Sequence, residues 1–139
     1  MKTPYEILGE DGVQNLCNAF YEIMDEEETV KVLRAMHAAD LEPMKTKLFE
    51  YLSGWMGGPQ LYSQHYGTVC MTTPHKPYRI GPKERDQWLL CMDKALERIG
   101  ASSKLKTMLK DPMFRVADAV KNHHCSEHTP KNDNLIATG

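Results

Sequence analysis

The 139-residue chain has no apolar run approaching the roughly 18–20 residues of a membrane span. It has no excess of one charge either: 17 Lys and Arg face 19 Asp and Glu, for a net charge of −2. A surface without a dominant positive field lacks the footprint for nucleic acid or an anionic membrane, so neither is expected as a partner. The four cysteines, Cys17, Cys70, Cys91 and Cys125, form no C-x-x-C pair and read as the reduced thiols of a cytoplasmic protein. Met1-Lys2-Thr3-Pro4-Tyr5-Glu6 has no apolar stretch behind its lysine, so no signal peptide is expected. Gly57-Gly58-Pro59 lacks a following Lys-Ser/Thr and is not a phosphate loop. No segment alternates with the period of a strand, and none repeats. The expected class is all-α.

A hydrophobic fraction of 41% with 26% charged residues is that of a globular chain. One domain of this length buries roughly two-thirds of its unfolded surface and needs no disulfide or metal to fold. Thr3-Pro4-Tyr5-Glu6 reads as a capping box, and Gly9 as the end of a short helix. A second helix, with Asp11 as its cap, carries Val13, Leu16, Cys17, Phe20, Tyr21 and Met24 on one stripe. The acidic run Asp25 to Glu28 ends it and reads as a solvated charged terminus. A short helical piece with Val30, Leu33 and Met36 follows.

Asp40 is the candidate cap of the next helix, which bears Leu41, Met44, Leu48, Leu52 and Trp55 and stops at Gly57-Gly58-Pro59. Residues 59–73 read as a loop with a helical turn around Gln60 to Gln64. Thr72-Thr73-Pro74-His75-Lys76-Pro77 has room for about one turn of helix at most. Gly81-Pro82 opens a strong helix that Gly100 closes. Ser102 or Ser103 caps the last one, which Pro112 either kinks or divides. The domain is expected over residues 1–124, with a polar tail at 125–139.

His75, between two prolines, is the most informative residue. Stiff backbone on both sides suits a ligand that must aim one imidazole nitrogen, although an ordinary loop histidine fits the same local context. No second His or Cys nearby gives a zinc spacing. A lone protein ligand is normal for heme, whose porphyrin supplies four nitrogens. Tyr21 and Trp88 carry polar atoms inside apolar stripes; with His37 they form three donors that either converge on a buried ligand or each reach water. His123-His124-Cys125-Ser126-Glu127-His128 holds soft metal-ligand types but reads as an adventitious group on a frayed end. Cys91 reads as a small core residue.

Several blocks together resemble the group II, or O-type, truncated hemoglobins. They are Gly57-Gly58-Pro59, Tyr62-Ser63, His75-x-Pro77-Tyr78-x-Ile80, and Glu84-Arg85-Asp86-x-Trp88-Leu89-x-Cys91-Met92. The similarity runs from about residue 3 to residue 122. It implies a two-over-two helical sandwich around heme b, with His75 as the proximal iron ligand. It also implies Tyr21, His37 and Trp88 as distal donors, with Leu48 and Met44 facing the distal side. Tyr51, Leu52, Phe20 and Ile80 are implied as further cofactor contacts. The arginine that many members place directly before the proximal histidine is absent. Lys47, Tyr66 and Arg79 are then the candidates to meet a heme propionate.

The resemblance implies a cytoplasmic protein that binds dioxygen, carbon monoxide and nitric oxide, for oxygen binding or transport. Each donor contributes about 0.5–1.5 kcal/mol net, so two or three slow ligand release by about ten- to a thousandfold. The same donors also suit a heme enzyme that detoxifies nitric oxide or peroxide with a reductase partner, or a heme-based gas sensor.

Overall fold

Thr3 starts the first helix through a reciprocal pair of hydrogen bonds: its hydroxyl accepts from the Glu6 N–H at 3.1 Å, and the Glu6 carboxylate accepts from the Thr3 N–H at 2.8 Å. The computed structural model describes residues 2–67 and 80–121. Helix α1 spans Pro4–Glu26 but is broken at Gly9, where φ is 74°. That left-handed backbone carries little steric cost only without a Cβ, so Gly9 joins the short and long helices expected from sequence. A 3-10 turn at Glu28–Val30 leads into α2, Lys31–Ala35. Then come α3, Glu42–Trp55; α4, Leu61–Tyr66; α5, Pro82–Arg98; and α6, Ser103–Ala119. No strand occurs among the described residues. None of their helices is long and apolar enough to cross a membrane.

The layers are α1 with α3 and α5 with α6, with α1 also packed on α5. This is the expected two-over-two sandwich. Being covered from both α3 and α5, α1 buries more than the single stripe predicted for it: Ala19 and Ile23 join Val13, Leu16, Cys17, Phe20, Tyr21 and Met24. Leu52 and Met56 of the α3 end, Met92, Ala95 and Leu96 of α5, and Leu105, Leu109 and Met113 of α6 complete the core.

Local signals account for most boundaries. Asp40 does cap, but one residue outside the expected place: its carboxylate accepts from the Glu42 N–H at 3.1 Å while Leu41 is the residue at the cap position. Of the two serine candidates, Ser102 caps α6 by accepting from the Leu105 N–H at 3.2 Å. Helix α6 continues through Pro112 rather than dividing there. Helix α4 runs on to Tyr66, beyond the expected turn, because nothing interrupts it before Gly67 at φ 75°.

The Gly57-Gly58 turn lets the start of α1 lie on the end of α3. The Tyr5 N–H donates to the Met56 carbonyl at 3.0 Å, and a Cβ on Gly58 would stand 2.5 Å from the Tyr5 ring. The acidic run at the end of α1 is not merely solvated. Asp25 pairs with Arg34, Glu26 with Arg98 and Glu27 with Lys94, tying α1 to α2 and α5 through exposed pairs of small individual worth.

Candidate functional site

Three elements bring aromatic and imidazole rings together at the middle of the sandwich. Helix α1 supplies Phe20 and Tyr21, which meet edge to face with ring centroids 4.9 Å apart. The turn after α2 supplies His37, 6.0 Å from the Tyr21 ring. Helix α5 supplies Trp88, whose indole lies 5.1 Å from Phe20. Tyr21 and His37 are therefore direct neighbours. Trp88 joins them by way of Phe20.

Tyr21 is only 4% exposed. Burial, and then the Cys17 thiol one turn earlier, hold its phenol well above the ordinary value, so it keeps its proton throughout the neutral range. The His37 ring has a fixed sense. Its Nδ1 sits 3.0 Å from the Leu33 carbonyl oxygen, which can only accept, so Nδ1 carries a proton and Nε2 is the acceptor of the neutral ring. Burial also raises both core thiols, Cys17 to about 12 and Cys91 to about 11, which keeps them protonated and inert as expected of core residues.

Arg34 holds the turn that carries His37. Its guanidinium donates to the Ala38 carbonyl at 3.0 Å and the Ala39 carbonyl at 3.1 Å while its Nε binds Asp25 of α1. A planar fork held at one edge by a carboxylate leaves its other edge to organise carbonyls. Arg34→Met should lower stability by about 1–2 kcal/mol in urea denaturation and speed amide exchange at residues 37–40. Unchanged exchange there would remove Arg34 from this role.

Half-buried side chains of α3 and α5 flank these rings. Helices α3 and α5 each pack on α1 but scarcely touch one another. From α3, Met44, Leu48 and Tyr51 stand at offsets of four and three, half-buried against the core, while Leu52 beside them is fully buried. From α5, Trp88 and Leu89 are likewise half-buried, while Leu90 lines a separate surface depression with Thr29 and Gln87. Apolar walls with a few polar tips at the floor are the features a planar hydrophobic cofactor requires. Among the described residues no group of three or more His, Cys, Asp and Glu side chains is placed to hold a bare metal ion. Heme makes no such demand, since it brings four of its own nitrogens. The residues present therefore fit heme.

The remaining expected contacts fall into two sets. Ile80 is buried at the entrance to α5. His75, Arg79 and Cys70, like the tail from His123 onward, lie outside the described residues. Lys47 and Tyr66 belong to a cluster that sequence reading missed. The Lys47 ammonium is 5.8 Å from the Tyr66 ring centre, and the Tyr66 hydroxyl donates to Glu50 Oε1 at 3.2 Å. His65 stacks on Tyr66 and its Nδ1 lies 2.9 Å from Glu50 Oε2. The available signal was the pairing of positions 47, 50 and 51 on one helix with 62, 65 and 66 just past a glycine turn.

The bacterial-like globin family matches residues 3–122 of the chain. The chain is a group II truncated hemoglobin. A cold-adapted truncated hemoglobin from the Antarctic marine bacterium Pseudoalteromonas haloplanktis is 40% identical to it. The superposition has a TM-score of 0.84 and covers 88% of this chain and all of that one. The group II 2-on-2 hemoglobin of the plant pathogen Agrobacterium tumefaciens is 36% identical, with a TM-score of 0.82 over 88% of this chain and 95% of that one. The group 2 truncated hemoglobin of Bacillus subtilis is 29% identical over 106 residues, 76% of this chain and 78% of its own.

Proposed function

We propose that this truncated hemoglobin holds heme b in the α3–α5 cleft and binds dioxygen there, with carbon monoxide and nitric oxide as further ligands. The observation that carries this reading is the buried, protonated Tyr21 phenol set beside the His37 ring and, through Phe20, beside Trp88. When bound, the heme supplies an iron centre with an open position for a diatomic gas. His75 serves as the proximal ligand through a neutral Nε2. Tyr21 donates its proton toward the gas ligand, and the Trp88 indole N–H is the second donor. His37, with its proton committed to the Leu33 carbonyl, positions Tyr21 and is an acceptor rather than a donor in its neutral form. Met44, Leu48 and Leu52 exclude water from the ligand's surroundings. Lys47 and Arg79 are the cations for the propionates. Tyr66 is a poorer candidate, since its hydroxyl proton is bound to Glu50.

Absorption spectra of the purified protein in ferric, reduced and carbonmonoxy forms test the cofactor. Tyr21→Phe keeps the ring that packs on Phe20 and removes only the donor. One net hydrogen bond of about 0.5–1.5 kcal/mol converts to an oxygen dissociation rate about 2- to 10-fold faster. Stopped-flow mixing with carbon monoxide reads this rate. If neither Tyr21→Phe nor Trp88→Phe changes it, the donor assignment fails.

A further inference from the structure

Three tyrosines form a continuous chain of rings from the cleft wall to the surface. Tyr51 shares its stripe of α3 with Met44 and Leu48 and is half-buried. Its ring centre is 5.7 Å from that of Tyr62, which is 4.5 Å from that of Tyr66. Tyr66 is 37% exposed and ends the chain. Its hydroxyl donates to Glu50 Oε1 at 3.2 Å. Glu50 is itself mostly shielded, with 15% of its side chain accessible, and His65 Nδ1–H donates to its other oxygen at 2.9 Å. The exposed His65 ring lies flat on Tyr66, with centroids 4.3 Å apart and planes 21° from parallel.

Such an arrangement is apt for redox chemistry. A phenol gives up an electron far more readily when a base takes its proton in the same event, and rings in contact pass electrons by short hops. Partial burial, and then the Glu50 carboxylate, raise the Tyr66 phenol above its ordinary value, so the proton is present to be transferred.

We propose that Tyr51, Tyr62 and Tyr66 carry electrons from the protein surface to the heme cleft, and that Tyr66 with Glu50 is the site where small phenolic reductants are oxidised at the expense of hydrogen peroxide. This rests on the heme reading of the cleft. In each one-electron step the Tyr66 O–H bond breaks. The proton goes to Glu50 and the electron passes through Tyr62 and Tyr51 toward the cleft, leaving a neutral tyrosyl radical at Tyr66. A phenol resting on the exposed His65–Tyr66 pair returns a hydrogen atom to Tyr66 and leaves as a phenoxyl radical. Glu50 then releases its proton to solvent. Two such steps supply the two electrons, and solvent the two protons, that turn one peroxide into two waters. The sum is two phenols and one peroxide giving two phenoxyl radicals and two waters.

The heme-loaded full-length protein is mixed with hydrogen peroxide in the presence of a nitroso spin trap, and trapped residues are located by peptide mass spectrometry. Freeze-quenched samples are read by electron paramagnetic resonance. The expected result is a tyrosyl signal with the adduct on Tyr66. In Tyr62→Phe, where the middle ring has no O–H to give, the Tyr66 adduct is lost while the Soret band stays. In Glu50→Gln the signal appears more slowly. A Tyr66 adduct undiminished in Tyr62→Phe, or heme present with no tyrosyl signal, overturns the proposal and leaves the heme reading standing. A protein with no Soret band before peroxide is added overturns the heme reading and the proposal together.

Discussion

His75→Ala is expected to abolish stable heme binding while leaving the helices intact. The argument is one of bond number. In the proposed site the porphyrin supplies four ligands to the iron and the protein supplies one, so removing that imidazole removes the only coordinate bond between chain and cofactor. No cluster among the described residues offers a replacement ligand set. Loss of a partner that only supports a metal ligand typically weakens binding by about 10–100-fold; loss of the ligand itself exceeds that. Among the described residues the largest fully buried side chains, including Phe20, Leu16, Met24, Leu52, Met56 and Met92, come from α1, the α3 end and α5 and pack on one another. The variant should therefore keep its far-ultraviolet circular dichroism and lose its Soret band and iron stoichiometry. Free imidazole added to the medium should restore part of the band by entering the vacated position. A normal Soret band with full iron content in His75→Ala refutes the proximal assignment.

The fold was more legible in the sequence than the site, for physical reasons that particular residues make plain. Helix starts are written in short-range chemistry. Thr3, Pro4 and Glu6 lie within one turn of each other, and so do Ser102 and Leu105, so the spacing alone is enough. Buried stripes are legible where a helix meets one neighbour. They are under-read where it meets two, and so Ala19 and Ile23 of α1 went unseen. Helix ends are weakly marked where no glycine or proline intervenes, which is why α4 runs to Tyr66.

The site depends on approach between residues far apart in the chain. Periodicity placed Tyr21 on a buried stripe, yet its meeting with His37 depends on how α2 turns back under the grip of Arg34. Glu50 reaches His65 and Tyr66 across a glycine turn, at sequence separations of 15 and 16, which no local pattern encodes. Family resemblance supplied the distal roles. The tyrosine chain became visible only once the rings had positions.

Phe20→Ala is expected to damage stability and ligand retention together, because one ring serves both. Phe20 is wholly buried, touches Tyr21 edge to face at 4.9 Å and meets Trp88 at 5.1 Å with planes tilted by 57°. Truncation removes the transfer free energy of a whole phenyl ring and leaves a cavity that α1, held between α3 and α5, has little freedom to close. The cost should be about 3–5 kcal/mol. Against a total stability of about 5–15 kcal/mol for a domain of this kind, the variant still folds but with a much lower urea midpoint.

The second effect follows from where the cavity lies. In the proposed site Tyr21 and Trp88 would lose the surface that sets the direction of their donors, and water would gain a route toward the ligand. Oxygen release should therefore accelerate more than in Tyr21→Phe, which removes one donor and leaves the other aimed. Phe20→Leu separates the two effects: it refills part of the volume but presents no ring edge to Tyr21. It should recover much of the stability and less of the slow release. A loss of under about 1 kcal/mol in Phe20→Ala, below the range for truncating a buried aromatic ring, would show that this ring does not link core and site. If instead stability drops as expected while oxygen release stays unchanged, the core is confirmed and the distal corner must be held by Arg34 and His37 alone.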